Sequence, residues 1–314
     1  MTEKVLVTGG CGFVGNALVR ALLKQGKEVT VYDRLTHIKN LEDVKDQVNF
    51  VKGNILNSDL VDTMSDNHIT QVYNLAASPF IPDSYYYPRK VIETNFEGAL
   101  NVMMAAQISK VERVIQVSSS EVYGSASYTP MDEKHPLNPH STYAVSKLAA
   151  DRLAFTLYKE HEIPIVIVRP FNMYGPRFTQ PYIIPTIIRS LCKEPKLTIG
   201  HRSARRDFTY VEDGVDALIK IMDCEEDIDG VTINIGSNKT YWIFEIIKMI
   251  QDILGIEEID IDTSISKLRP YDVNLLQCDY GLLNGLVGWA PTTSILEGLR
   301  KTVNWYKEVM EDGW

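Results

Sequence analysis

The chain has 314 residues, 45% of them hydrophobic and 23% charged, with a net charge of −9. That length buries a large core in one unit or two closely joined ones, and the composition excludes a disordered, collagenous or membrane-embedded chain. The acidic balance argues against nucleic acid as a partner, because a phosphate backbone needs concentrated basic surface.

The first apolar run, KVLVTGG (4–10), reads as a strand that starts almost at once, so no signal peptide is expected. Residues 17–25 follow with a helical pattern. EVTVYD (28–33), VNFVKGN (48–54) and QVYNLAA (71–77) read as further strands, and 91–108 as one long helix. RVIQVSS (113–119) is a strand, 143–160 a helix and PIVIVRP (164–170) a strand. Apolar runs separated by helices predict parallel strands covered on both faces, an α/β doubly wound sheet. After Pro170 the rhythm breaks, with further prolines at 176, 181, 185 and 195 and a basic stretch, HRSARRD (201–207). GVTINIG (230–236) is expected to return to the sheet, and 241–254 and 294–310 to be helical. The expected layout is a cofactor-binding unit over 1–170, with about 207–236 returning to it. A smaller mixed α/β lobe is then built from 171–206 and 237–314. The four cysteines (Cys11, Cys192, Cys224, Cys278) have neither zinc nor redox-dithiol spacing. No apolar run reaches the length of a membrane span. A cytoplasmic protein is therefore expected.

TGGCGFVG (8–15) places Gly9, Gly12 and Gly15 between a strand and a helix, with Phe13 and Val14 at the helix start. Glycines serve where a turn is tight and where backbone approaches a pyrophosphate, and the helix N-terminus offers free N–H groups to phosphate. Asp33 ends the next strand, where a carboxylate accepts from a ribose 2′-hydroxyl and repels a 2′-phosphate. This predicts NAD as the cofactor, although neighbouring Arg34 would tolerate NADP. Asn54 and Ile55 follow the third strand, where Asn54 either bonds an adenine amino group or serves as a turn asparagine.

YAVSK (143–147) puts a phenol and an ammonium four residues apart on one helical face. Alone this is an ordinary surface pair. Here the helix follows SSSEVYG (118–124), so its first half packs near Ser119 at the end of a strand. A lysine cation and an oxidised nicotinamide both favour phenolate, which makes Tyr143 a base for a sugar or alcohol hydroxyl.

This combination resembles the extended short-chain dehydrogenase/reductase family, with its Rossmann-type sheet, and within it the nucleotide-sugar epimerases and dehydratases. The resemblance spans nearly the whole chain. TGGCGFVG is similar to the family's cofactor loop and NLAAS (74–78), with Leu75, Ala76 and Ala77, to its strand beneath the cofactor. ETNFEGALNV (93–102) is similar to the helix carrying a cofactor-contacting asparagine, here Asn95. The resemblance implies Ser119, Tyr143 and Lys147 as catalytic residues. In RPFNMYGPR (169–177) it implies Asn172 as a substrate contact. In RRDFTYVEDGVDAL (205–218) and RPYDV (269–273) it implies Arg206 and Arg269 as clamps on the diphosphate, with Arg205 solvated. Arginine suits that task because its planar fork matches phosphate oxygens. A homodimer pairing through helices 91–108 and 143–160 is also what the resemblance implies.

Glu121 separates the possible reactions. Oxidation at C4 of a hexose acidifies the C5 hydrogen. A 4-epimerase needs no further base, whereas a 4,6-dehydratase needs one at C5 and help for the departing C6 hydroxyl. A glutamate two residues past Ser119 supplies both, and Ser120-Glu121 is similar to the pattern of GDP-mannose dehydratases. Glu121 alternatively caps the local turn. The expected activity is an NAD-dependent nucleotide-hexose 4,6-dehydratase, then a 4-epimerase, then a uronic acid decarboxylase. A nucleotide-binding sensor without turnover is the reading from a different class. Ser118 is expected to satisfy the strand end. Phe80 and Ser84 are placed near the hexose, Tyr182 over the base, and Tyr85, Tyr86 and Tyr87 at the mouth of the cleft. His68, His135, His140, His161 and His201 show no metal-ligand spacing, so no metal is expected.

Overall fold

A computed structural model describes residues 3–34, 37–200, 204–264 and 273–311. Its first part alternates β1 (Lys4–Thr8), α1 (Phe13–Lys24), β2 (Glu28–Asp33), β3 (Asn49–Lys52), α2 (Leu60–Asp66) and β4 (Gln71–Asn74). Three helices, α3 (Ile81–Tyr86), α4 (Pro88–Ile92) and α5 (Gly98–Ile108), lead to β5 (Arg113–Val117), α6 (Thr142–His161) and β6 (Ile165–Pro170). The later segments are β7 (Asn172–Tyr174), α7 (Ile183–Lys193), β8 (Lys196–Ile199), β9 (Arg205–Tyr210), α8 (Val211–Met222) and β10 (Thr232–Ile235). The last are β11 (Thr240–Trp242), α9 (Ile243–Leu254), β12 (Asp260–Thr263), α10 (Gly281–Val287) and α11 (Ile295–Glu311).

Seven strands form one sheet in the order β10-β6-β5-β4-β1-β2-β3, with every neighbouring pair parallel. Alternate side chains face opposite layers. Val5, Val7 and Ile115 pack into one core with Leu18, Leu22 and Leu218, while Leu6, Val72 and Val114 pack into another with Val102 and Ala154. The chain winds outward from β1 to β3, then crosses back to β4 and outward to β10. This reversal beside β1 leaves a crevice at the carboxyl ends of the strands, the place where such sheets hold ligands. The expected doubly wound sheet is present, and GVTINIG joins it through β10.

The remaining strands form a three-stranded sheet, β11-β9-β7, and a two-stranded one, β12-β8. A third apolar core ties α7, α9 and α11 to them through Ile187, Ile246, Leu299 and Phe208. Two expectations are revised locally. The helix expected over 91–108 is interrupted by a wide π turn, Glu93–Glu97, which turns Asn95 inward. The helix expected from 241 begins at Ile243, because Thr240–Trp242 pairs antiparallel with β9. Among the described residues no helix is long and apolar enough to cross a membrane. Arg269 and His201 lie outside the described residues.

Candidate active site

At the carboxyl ends of β1 to β6 lies a cleft of about 1110 Å³. The glycine loop forms its floor. Gly9 has φ +69°, and a Cβ there would meet the Ala76 backbone at 2.9 Å. A Cβ on Gly15 would lie 2.2 Å from the Gly9 carbonyl oxygen, so α1 packs on the loop more closely than any side chain permits. Gly12 caps α1 without a side-chain acceptor, which leaves the first-turn N–H groups facing the cleft beside Phe13 and Val14. Asp33 lines the cleft and its carboxylate accepts from the Cys11 N–H at 3.1 Å. A close-approach glycine loop, a helix N-terminus and an acceptor at the end of β2 fit a dinucleotide.

Ile55, Leu75, Ala76 and Ala77 also line the cleft. Asn54 does so too, but its carboxamide oxygen accepts from the Leu56 N–H at 3.2 Å, as a turn asparagine does. Asn95 stands behind the wall rather than on it. Its side chain pins the Ser78 backbone at 2.7 and 3.3 Å and donates to the Ser146 hydroxyl at 3.0 Å, which ties the loop after β4 to α6.

The reacting end gathers three segments. Ser119 caps the 3-10 turn Ser120–Tyr123, its hydroxyl accepting from the Glu121 N–H at 3.2 Å. Ser141 caps α6 through the Ala144 N–H at 3.1 Å, and the helix then presents Tyr143 and Lys147 to the cleft on one face. Burial pushes the Tyr143 phenol up to about 12; a hydrogen bond with Ser119 pulls it back, and the nearby Glu121 carboxylate raises it. Burial pushes the Lys147 ammonium down to about 8, opposed by the Asp151 carboxylate one turn along. Lys147 donates to the Val117 carbonyl. In the protein alone desolvation dominates both groups. Serine hydroxyl, phenol, ammonium and carboxylate thus line the same cleft. Such a set can move a proton to and from a sugar hydroxyl and can attack an acidified C–H beside it.

Asn172 lines the cleft with its buried Oδ1 lacking a hydrogen-bond partner among the described residues. Arg206 lines it from β9, is 6% exposed, and donates to the Arg205 and Asn274 carbonyls at 3.1 and 3.4 Å. Ser84 is not part of the lining. It is buried on α3 and its hydroxyl donates to the Ile81 carbonyl at 2.7 Å, the bond a small hydroxyl makes within a short helix. Arg205 is half-buried rather than free in solvent: its guanidinium lies 5.1 Å from the Trp242 ring centroid and donates to the Thr240 hydroxyl at 2.7 Å. Tyr85 packs against Tyr143, Tyr86 reaches the mouth, and Tyr87 stays outside the lining.

Two lining features escaped the sequence reading. Ser118 is expected at the strand end, yet its buried hydroxyl lines the cleft and has no partner among the described residues; its place in a run of hydroxyls is the available signal. Phe178 stacks on Phe13 with ring centroids 3.8 Å apart and also meets Tyr182. Tyr182 meets Phe80 edge-on and donates to the Pro79 carbonyl, so aromatic rings run from the glycine loop to the loop after β4. No local pattern announces that contact.

Residues 6–302 match the family model described as GDP-mannose 4,6 dehydratase. The chain is 30% identical to a UDP-N-acetyl-alpha-D-glucosaminuronate decarboxylase of Bacillus cytotoxicus, over 99% of this chain and 100% of that one. It is 29% identical to the dTDP-D-glucose 4,6-dehydratase of Homo sapiens, over 98% of this chain and 90% of that one. The UDP-glucuronic acid 4-epimerase of Bacillus cereus, crystallised with UDP-glucuronic acid and NAD, matches the fold with a TM-score of 0.90 at 29% identity. That match covers 98% of this chain and 100% of that one.

Proposed function

The chain belongs to the GDP-mannose 4,6-dehydratase family of extended short-chain dehydrogenases/reductases, and from that premise we propose that it is a nucleotide-hexose 4,6-dehydratase. Enzymes of this kind are NAD-dependent and act on nucleotide sugars, as dehydratases, epimerases or decarboxylases. The observation that carries the dehydratase reading is the Glu121 carboxylate, which lines the cleft close enough to the Tyr143 phenol to raise it.

In this reading residues 1–170, with about 207–236, hold the cofactor, and 171–206 with 237–314 hold the nucleotide sugar. Bound NAD would supply a reversible store for the sugar's C4 hydrogen. Arg206 forks onto the diphosphate, joined by Arg269, and Asn172 offers its unpartnered carboxamide oxygen to the sugar nucleotide. Ser119 bonds the C4 hydroxyl and orients it. Tyr143, with Lys147 below it, accepts that proton as C4 becomes a ketone. The ketone acidifies C5–H; Glu121 takes that proton and gives it to the departing C6 hydroxyl, which leaves as water. C6 then regains the stored hydrogen, C5 takes a proton from solvent, and the Tyr143 proton returns to solvent. Sugar and enzyme end with one water lost and no net oxidation.

Two observations bear on alternatives. The decarboxylase and 4-epimerase relatives have full-length likeness to this chain, and both of those reactions can start from the same C4 ketone. A 4-epimerase leaves Glu121 without a task.

The test is incubation of the NAD-loaded protein with GDP-mannose, dTDP-glucose, UDP-N-acetylglucosamine and UDP-glucuronic acid in deuterated water. Deuterium at C5 with loss of water is the expected result. Inverted C4 without solvent deuterium would overturn it in favour of epimerisation, and carbon dioxide release from the uronate in favour of decarboxylation. Bound NAD with no turnover of any sugar would leave the sensor reading.

A further inference from the structure

Three buried side chains behind the reacting end form a network that the reaction itself does not use. Arg169 on β6 is 2% exposed, while Asp151 on α6 and Tyr123 at the end of the 3-10 turn are fully buried. Arg169 forks onto Asp151, Nε and one Nη donating to the two carboxylate oxygens at 2.8 and 3.0 Å. Its other Nη donates to the Tyr123 hydroxyl at 3.0 Å, and the guanidinium lies 5.0 Å from that ring's centroid. The Tyr123 hydroxyl donates onward to Asn234 on β10 at 2.7 Å. Arg152 adds a further bond to Asp151 at 2.6 Å.

The placement of these partners gives the network its meaning. Asp151 follows Lys147 by one helical turn and Tyr143 by two, on the same face of α6. Tyr123 closes the turn that Ser119 opens and that carries Glu121. One guanidinium is thus bonded both to the helix bearing the phenol and to the turn bearing the carboxylate. A buried charge is tolerated only when its donors and acceptors are used, and here Nε and both Nη atoms have partners. Lysine has no rigid fork and could not hold both sides in register.

We propose that Arg169, with Asp151 and Tyr123, is a positioning device that sets the separation between the Tyr143–Lys147 face of α6 and Glu121. The proposal rests on the reading that Tyr143 and Glu121 act on one sugar. It predicts a division of labour: loosening the Tyr123 bond misplaces the turn, while the Asp151 fork still holds the helix.

Tyr123→Phe deletes only the hydroxyl and is measured as the NAD-loaded full chain with the four nucleotide sugars above. Nicotinamide reduction, which needs Ser119 at the start of that turn, is expected to slow by only about two- to three-fold, and KM to change by less than about two-fold. Water loss and C5 deuterium incorporation should slow by ~10- to 100-fold, the scale of a roughly 1 Å misplacement. Arg169→Lys, which keeps the charge but not the fork, should slow both stages. Unchanged water loss in Tyr123→Phe would overturn the proposal, as would both stages falling in step with thermal stability. If the wild type reduces no nicotinamide with any of these sugars, the dehydratase reading fails on its own. Hydrogen exchange then decides the positioning claim: amides of 119–124 should exchange faster in Tyr123→Phe while those of 142–161 do not, and equal exchange overturns it.

Discussion

Lys147→Met in the NAD-loaded protein probes the electrostatics on which the chemistry depends. In the protein alone burial pushes the Tyr143 phenol up to about 12. At about pH 7.5 such a phenol is ionised in only ~1 molecule in 30,000, a gap of about 6 kcal/mol. Two positive charges are available to close it, the oxidised nicotinamide ring and the Lys147 ammonium. An opposite charge within about 4–6 Å lowers a pKa by ~1–3 units, so the ammonium's share is ~1.4–4 kcal/mol. Methionine keeps much of the stem's volume and removes the charge. C4 oxidation at fixed pH is then expected to slow by ~10- to 1000-fold, with the rising limb of its pH profile moved up by ~1–3 units. Lys147 sets the other limb. Its ammonium is pushed down to about 8, so wild-type oxidation should decline above that pH as the charge is lost. That decline should disappear in the variant. The assay is single-turnover nicotinamide reduction by stopped flow across neutral and alkaline pH. A variant that oxidises C4 at the wild-type rate with unmoved limbs refutes the reasoning.

Arg206→Ala removes one fork of the proposed diphosphate clamp and should raise KM by ~10- to 100-fold with little change in kcat, the scale of one charged hydrogen bond; unchanged saturation would place the diphosphate elsewhere. Gly15→Ala puts a Cβ 2.2 Å from the Gly9 carbonyl oxygen, so the purified variant should carry little NAD and melt at a lower temperature. Full NAD content at the wild-type Tm would count against the loop geometry. Burial raises the Asp207 carboxyl from its ordinary 3.8 to about 6. The fold therefore binds this proton more tightly than the unfolded chain, and the resulting stability is present at low pH and lost as pH rises through about 6. It amounts to about 3 kcal/mol at most. Comparing the pH dependence of Tm in wild type and Asp207→Asn isolates it, and parallel curves would reject it.

The strands, the glycine loop and the phenol–ammonium pair were legible because each is a local pattern. Apolar runs of strand length and glycines at a strand–helix junction carry their meaning locally, and the four-residue phenol–ammonium spacing takes its meaning from the SSSEVYG segment that precedes its helix. Asn54, Ser84, Asn95, Ser118 and Arg205 were harder, because a polar side chain beside a site can face it, its own backbone or a neighbouring ring. Packing chose the Leu56 N–H for Asn54, the Ile81 carbonyl for Ser84, Ser78 for Asn95 and the Trp242 face for Arg205. Ser118 alone of these five lines the cleft with a hydroxyl that has no partner among the described residues.

From the order of its residues alone, this chain specifies a doubly wound sheet, a dinucleotide loop and the phenol, ammonium and carboxylate that its chemistry would use. The folded structure decides how those groups ionise and how far apart they stand. Desolvation moves a phenol and an ammonium by more than their spacing along a helix would suggest. The distance from α6 to the Glu121 turn passes through Arg169, more than forty residues from Tyr123 along the chain and bonded to it in space.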